Sequence, residues 1–231
     1  MDINRSFNRY LGFILCLCMP TVALAVETIG DLTVVIGTVS IERKGLLIVA
    51  KLDSRLYEDD VIATGARSRA KVNLLDQTVI YISQNAELTL DEFVFSGKED
   101  SVSLKVTKGT FRFISGQVAK KTPEKVKIET PIATIGVRGT EFLGHIHEVE
   151  SIFHLFNGKI EVANDSYTQH IAAPGFAVTI DPAGLISTPV KLSDEKLNVL
   201  VDRVSHHKSA LENDVPESFR SKDEVKPEEG D

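Results

Sequence analysis

The 231-residue chain has no tryptophan and two cysteines, Cys16 and Cys18, both inside one N-terminal apolar run. Arg5 and Arg9 precede that run, which extends over residues 11–25 and closes on the small-x-small triplet Ala23-Leu24-Ala25. This is the layout of a secretory signal, with cleavage expected after Ala25. The run is shorter than the roughly 20 apolar residues a bilayer-spanning helix needs, and Pro20 interrupts it. Leu15 and Leu17 before the cysteines are too bulky for a lipoprotein signal. Residues 26–231 then contain no cysteine, which excludes disulfides, thiolate metal sites and a cysteine nucleophile from the processed chain.

Excess positive charge is lacking as well. The net charge of -7 becomes about -8 when Arg5 and Arg9 leave with Asp2. Nucleic acid and anionic lipid are thereby disfavoured as main partners, and no stable membrane insertion is expected after cleavage. Local chemical motifs are missing too: no G-x-S-x-G elbow, no H-E-x-x-H, no phosphate loop and no Asp-rich calcium loop. The chain reads as a non-enzyme that needs no cofactor.

What is present is a period of two. Val39-Ser40-Ile41-Glu42, Ala70-Lys71-Val72-Asn73-Leu74, Val102-Ser103-Leu104-Lys105-Val106 and Ile160-Glu161-Val162 each put apolar side chains on one face of a strand. Gly65, Gly97, Gly109, Gly116 and Gly175 read as punctuation between strands. Asn157-Gly158, between apolar segments 152–156 and 159–162, reads as a two-residue hairpin turn. The expected class is all-β, a sandwich, barrel or short solenoid filling residues 26–190.

Beyond Pro189, Leu192, Leu197, Leu200, Val201 and Val204 approach helical spacing behind a candidate N-cap, Ser193. The expected domains are a signal peptide over 1–25, the β domain over 26–190, a C-terminal helix within 191–211 and an acidic tail over 212–231. That tail carries eight acidic against three basic residues, a composition expected to remain disordered.

Three groups of titratable residues are candidates for chemistry. His145 and His147, two apart, share a strand face, and His154 falls where a neighbouring strand could bring a third imidazole. A solvent-facing side is the preferred reading, so no metal is assigned. Asp53 with Glu58-Asp59-Asp60 reads as a solvated turn, and Lys120, Lys121, Lys125 and Lys127 as a basic loop surface without interleaved aromatics.

One segment is more distinctive: Thr130-Pro131-Ile132-Ala133, then Gly136-Val137-Arg138-Gly139-Thr140-Glu141-Phe142. It resembles the signature of the FecR domain. The family's order also appears in Gly37-Thr38-Val39, Asp60-Val61-Ile62-Ala63-Thr64-Gly65, the Ala70-x-Val72-x-Leu74 strand and Asn157-Gly158-Lys159-Ile160-Glu161-Val162, so the resemblance spans residues 36–162. Thr130, Pro131, Gly136, Arg138, Gly139, Thr140 and Phe142 form the structural signature. Arg138, flanked by apolar positions, is expected to turn inward or along a strand edge as a clamp on backbone carbonyls or a carboxylate.

Asp76-Gln77-Thr78 replaces the family's usual Asp-Gly-Ser turn. The resemblance implies a periplasmic or secreted module that binds an envelope protein in signalling or assembly. FecR regulators carry a cytoplasmic anti-sigma segment and a membrane span before this domain; here a signal peptide is expected in that place, so relay to a sigma factor is not implied. The alternative is a structural or glycan- or peptide-binding envelope module, with a metal-dependent enzyme using the three histidines as the remote third.

Overall fold

The computed structural model describes residues 27–205. The expected signal peptide and acidic tail, and the last residues of the expected helix, lie outside the described residues.

Strands form where the period of two lets one face be buried, as in Arg69–Leu74, whose buried positions are Ala70, Val72 and Leu74. In chain order the strands are β1 (Gly30–Ile36), β2 (Val39–Arg43), β3 (Leu46–Val49), β4 (Arg55–Leu56), β5 (Val61–Thr64), β6 (Arg69–Leu74), β7 (Val79–Ile82), β8 (Glu87–Val94) and β9 (Ser101–Ile114). A short helix α1 (Gln117–Lys121) follows. Next come β10 (Val126–Glu129), β11 (Thr134–Ile146), β12 (Ser151–Ala163), β13 (Thr168–Ile171), β14 (Phe176–Ile180), β15 (Val190–Lys191) and helix α2 (Asp194–Val204). The all-β class with one C-terminal helix therefore stands.

The three long strands β9, β11 and β12 decide the architecture. Their halves pair with different neighbours, giving one limb ordered β4-β1-β6-β7-β9-β11-β12-β14-β15 and another ordered β3-β2-β5-β8-β9-β10-β11-β12-β13. Both limbs bury their inner faces in a single cluster, from Val72, Ile80 and Phe113 on one side to Ile62, Leu104 and Ile135 on the other. Phe111, Phe113, Phe142 and Phe153 supply its largest buried side chains, with Phe111 edge-on to Phe142 at 5.6 Å.

Each long strand passes between limbs at a glycine of positive φ: Gly109 (95°), Gly139 (57°) and Gly158 (82°). A Cβ on Gly158 would meet the Gly139 carbonyl oxygen at 2.1 Å, so the two backbones approach as only glycine permits. This corrects two readings. Asn157-Gly158 is not a hairpin turn; it lies inside β12, opposite an irregularity in β11 where the register shifts between Arg138 and Glu141. Gly109 likewise lies inside β9 rather than between strands. The two-residue turn with both central φ values positive is Lys44-Gly45 (51° and 77°), joining β2 to β3.

The Asp76-Gln77-Thr78 turn is a buried hub. Asp76 is fully buried and accepts from the Thr78 and Val118 amides and the Thr78 hydroxyl, while Thr78 Oγ1 accepts from the Gly116 amide. Gln77 holds φ at 71°, the conformation glycine would adopt more easily in the family's usual turn.

Helix α2 begins as its sequence indicates, with Ser193 Oγ accepting from the Lys196 amide and Asp194 and Glu195 in the first turn. Its buried Leu200 and Val204 cover Tyr81, Ile114, Leu143 and Ile152 on the outer face of the first limb. Arg69 ties down its far end by donating to the Asp202 and Ser205 carbonyls.

Candidate functional site

The signature residues hold the fold at the limb junction. Thr130 Oγ1 donates to the Ala133 carbonyl at 2.7 Å and accepts from the Ala133 amide, closing the β10–β11 turn that contains Pro131. Thr140 is buried; its hydroxyl donates to the Lys159 carbonyl at 2.7 Å and accepts from the Arg138 amide at 2.9 Å. Its own amide donates to Ser115 Oγ. Phe142 sits in the core, and Gly139 lies in the β11 irregularity. A Cβ on Gly136 would meet only Glu161 Cβ at 3.8 Å, an ordinary contact, so nothing in the packing demands glycine there.

Arg138 does not behave as an inward clamp. Its side chain is exposed, and no hydrogen bond or ion pair holds its guanidinium among the described residues. The β11 irregularity begins immediately after it, and the inward positions are taken by Val137 and Thr140.

The histidines divide. His145 and His147 stack at 5.7 Å, and Thr110 Oγ1 lies 2.9 Å from His145 Nδ1. Burial lowers the His145 pKa to about 4, reinforced by Arg203 and His147 and opposed by Glu150. His154 is instead buried edge-on against Phe156 at 4.7 Å, and both ring nitrogens lack a hydrogen-bond partner. Burial lowers its pKa as well; the Gly175 backbone offsets this only partly, without reaching hydrogen-bond geometry. Among the described residues no three metal-ligating side chains come together. His145 and His147 border a groove of about 560 Å³ beside α2, with Glu150, Lys196 and Arg203.

The acidic turn also differs from expectation. Asp60 is fully buried rather than solvated, and binds Arg43 through Nε at 2.7 Å and Nη2 at 2.8 Å while accepting from the Tyr57 amide at 2.9 Å. Arg43 also lies over the Tyr57 ring at 4.2 Å and donates to the Arg55 carbonyl. The carboxylate bond raises the Arg43 pKa further. In the basic stretch, Lys127 pairs with Glu129 at 2.8 Å.

Arg43 anchors the turn end of the β2–β3 hairpin, which carries the surface feature that sequence reasoning missed. Leu46, Leu47 and Val49 are 70%, 76% and 75% exposed, Ile48 38% and nearby Leu52 61%. β3 pairs with β2 alone among the described residues, so it is an open sheet edge bearing four apolar side chains in succession. The hydrogen-bond alternation fixes which backbone groups are free. Arg43 and Leu46 close the turn, and the Ala50 amide donates to the Val39 carbonyl, so Leu46, Ile48 and Ala50 bond inward to β2. The N–H and C=O groups of Leu47 and Val49 consequently point outward. The available signal was Lys44-Gly45 between two apolar segments.

With this geometry in view, comparison with known proteins is informative. Residues 60–161 match the family model described as FecR protein. That segment, under half of the chain, is therefore similar to a FecR domain. Two crystal structures from Parabacteroides distasonis ATCC 8503, each described as a "putative anti-sigma factor", are similar to it. One, at 2.50 Å, is 14% identical with a TM-score of 0.50 over 61% of this chain and 63% of that one. The other, at 1.65 Å, is 15% identical with a TM-score of 0.49 over 61% and 64%. The match therefore spans less than two thirds of the solved FecR-like chains, and at such identity the likeness is one of fold. No curated protein matches the chain.

Proposed function

We propose that this chain is an exported, non-catalytic module of the bacterial envelope whose FecR domain binds a protein partner by strand addition at the β3 edge. The observation that carries this reading is the open edge itself. Leu47 and Val49 offer unpaired backbone groups, and apolar side chains project on both faces of a hairpin fixed at its turn end by Arg43 and Asp60. Such an edge gives affinity through main-chain hydrogen bonds and specificity through alternate side chains. Left uncovered, it would be a liability, since natural edges are usually shortened, charged or capped.

The FecR domain supports a regulatory, protein-binding role over an enzymatic one. The signal-like N-terminus supports a periplasmic or secreted location. No helix among the described residues is long and apolar enough to cross a membrane.

The test is affinity capture from envelope extract with the tagged, processed chain, alongside Leu47→Pro. Proline at an outward-facing position removes the free donor without breaking the β2–β3 ladder. One enriched envelope protein, lost with Leu47→Pro, is the expected result. Equal capture by both proteins would sink the edge as the binding site.

A further inference from the structure

We infer that the β3 edge is a self-association surface, completed by the β3 of a second copy related by a two-fold axis through Ile48. This rests on the strand-addition reading above and names its partner.

Three observations converge. The outward groups belong to Leu47 and Val49, two residues apart. An antiparallel copy can engage both in one register, with Leu47 opposite Val49 of the other copy, Val49 opposite its Leu47, and Ile48 opposite Ile48 on the axis. Each hydrogen-bonded pair exchanges two bonds, so no outward group of the strand is left over. Second, the strand is uncharged between Lys44 and Lys51. In this register Gly45 faces Lys51 and Leu46 faces Ala50, so no like charges oppose one another across the junction. A charged partner strand would instead lay its charges against apolar side chains.

The third observation is area. Leu46, Leu47, Ile48, Val49 and Leu52 expose roughly 500 Å² of apolar surface per chain, so the pair would bury at most roughly 1,000 Å², the size of a weak, reversible interface. Pairing would also join the limbs of two copies into one continuous sheet through β5-β2-β3-β3-β2-β5, leaving neither β3 as an open edge.

The register sets the experiment. Facing residues at the non-hydrogen-bonded Ile48 position would have Cα atoms about 4.5 Å apart, within disulfide reach, whereas the two Leu47 Cα atoms would be separated by more than about 7 Å. The processed chain, Ile48→Cys, Leu47→Cys and Ile48→Lys are purified, oxidised without reductant and run on non-reducing gels. Sedimentation is followed over a concentration series. The unsubstituted processed chain, which contains no cysteine, is the negative control for cross-linking.

The expected results are a reversible dimer for the parent, a covalent dimer for Ile48→Cys and none for Leu47→Cys. Ile48→Lys should raise the dimer dissociation constant at least ~100-fold, since both copies lose their central anchor. Circular dichroism confirms that each variant is folded, and the cysteine pair stands independently if the lysine variant is not. A parent that stays monomeric with no Ile48→Cys cross-link overturns self-association. So does equal cross-linking at both positions. A monomer that still captures an envelope protein through the edge keeps the strand-addition reading while removing the second copy; a monomer that captures nothing removes both.

Discussion

Replacing Arg43 with methionine should weaken the fold and loosen the β3 edge together. Asp60 is fully buried, and the substitution removes both guanidinium bonds, leaving its carboxylate the Tyr57 amide as remaining partner among the described residues. Stranding a buried charge in this way costs about 3–5 kcal/mol. For a domain of this size that is a fall in Tm of roughly 6–20 °C. Asp60→Asn, which keeps a side-chain acceptor for Tyr57, should cost less, and the double substitution should cost less than the two singles together by about 2 kcal/mol or more. Urea denaturation of the four proteins, followed by circular dichroism, closes the cycle. Additive single and double effects would refute the claim that this pair holds the turn end of the hairpin.

Thr140→Val leaves the Arg138 amide and the Lys159 carbonyl without their shared partner, and should cost about 2–4 kcal/mol in the same assay, whereas Thr140→Ser should recover most of it. Arg138→Met, two residues away in the same signature, should change stability by less than about 0.5 kcal/mol because its side chain is exposed and unheld; a large loss would restore the clamp. His145 gives a pH signature: its folded pKa of about 4 lies below the ordinary 6.5, so between these values the unfolded chain takes up a proton that the folded chain refuses. Stability should fall as pH drops from about 6.5 to 4 and be unaffected by this group above 6.5. After allowance for solvent around the half-buried ring, the contribution is about 1–2 kcal/mol. His145→Gln should flatten that part of the profile, and an unchanged slope would count against the assignment.

Much of the fold was legible because alternation in β2, β6 and β9 reports a face that must be buried, and Ser193 with Asp194 and Glu195 announces a helix start wherever it occurs. Other features depend on what lies across the chain. Asn157-Gly158 suits either a tight turn or a strand irregularity, and only the closeness of Gly139 decides between them. Arg138 was misplaced for the same reason: the shift in register after it sets its direction, and that shift leaves no local trace. Asp60 looked like part of a solvated acidic turn, yet its partner Arg43 is 17 residues away. The β3 segment was opaque because an apolar run reads as core, whereas here no other element covers it among the described residues.

The account turns on the open β3 edge, and residue-resolved amide hydrogen exchange of Leu47 and Val49 tests it most directly. Their outward N–H groups should exchange rapidly in dilute protein and slow together as concentration rises, while Ile48, bonded inward to β2, starts protected. Rapid exchange of both amides at every concentration, and with envelope extract added, would contradict an edge built to receive another strand.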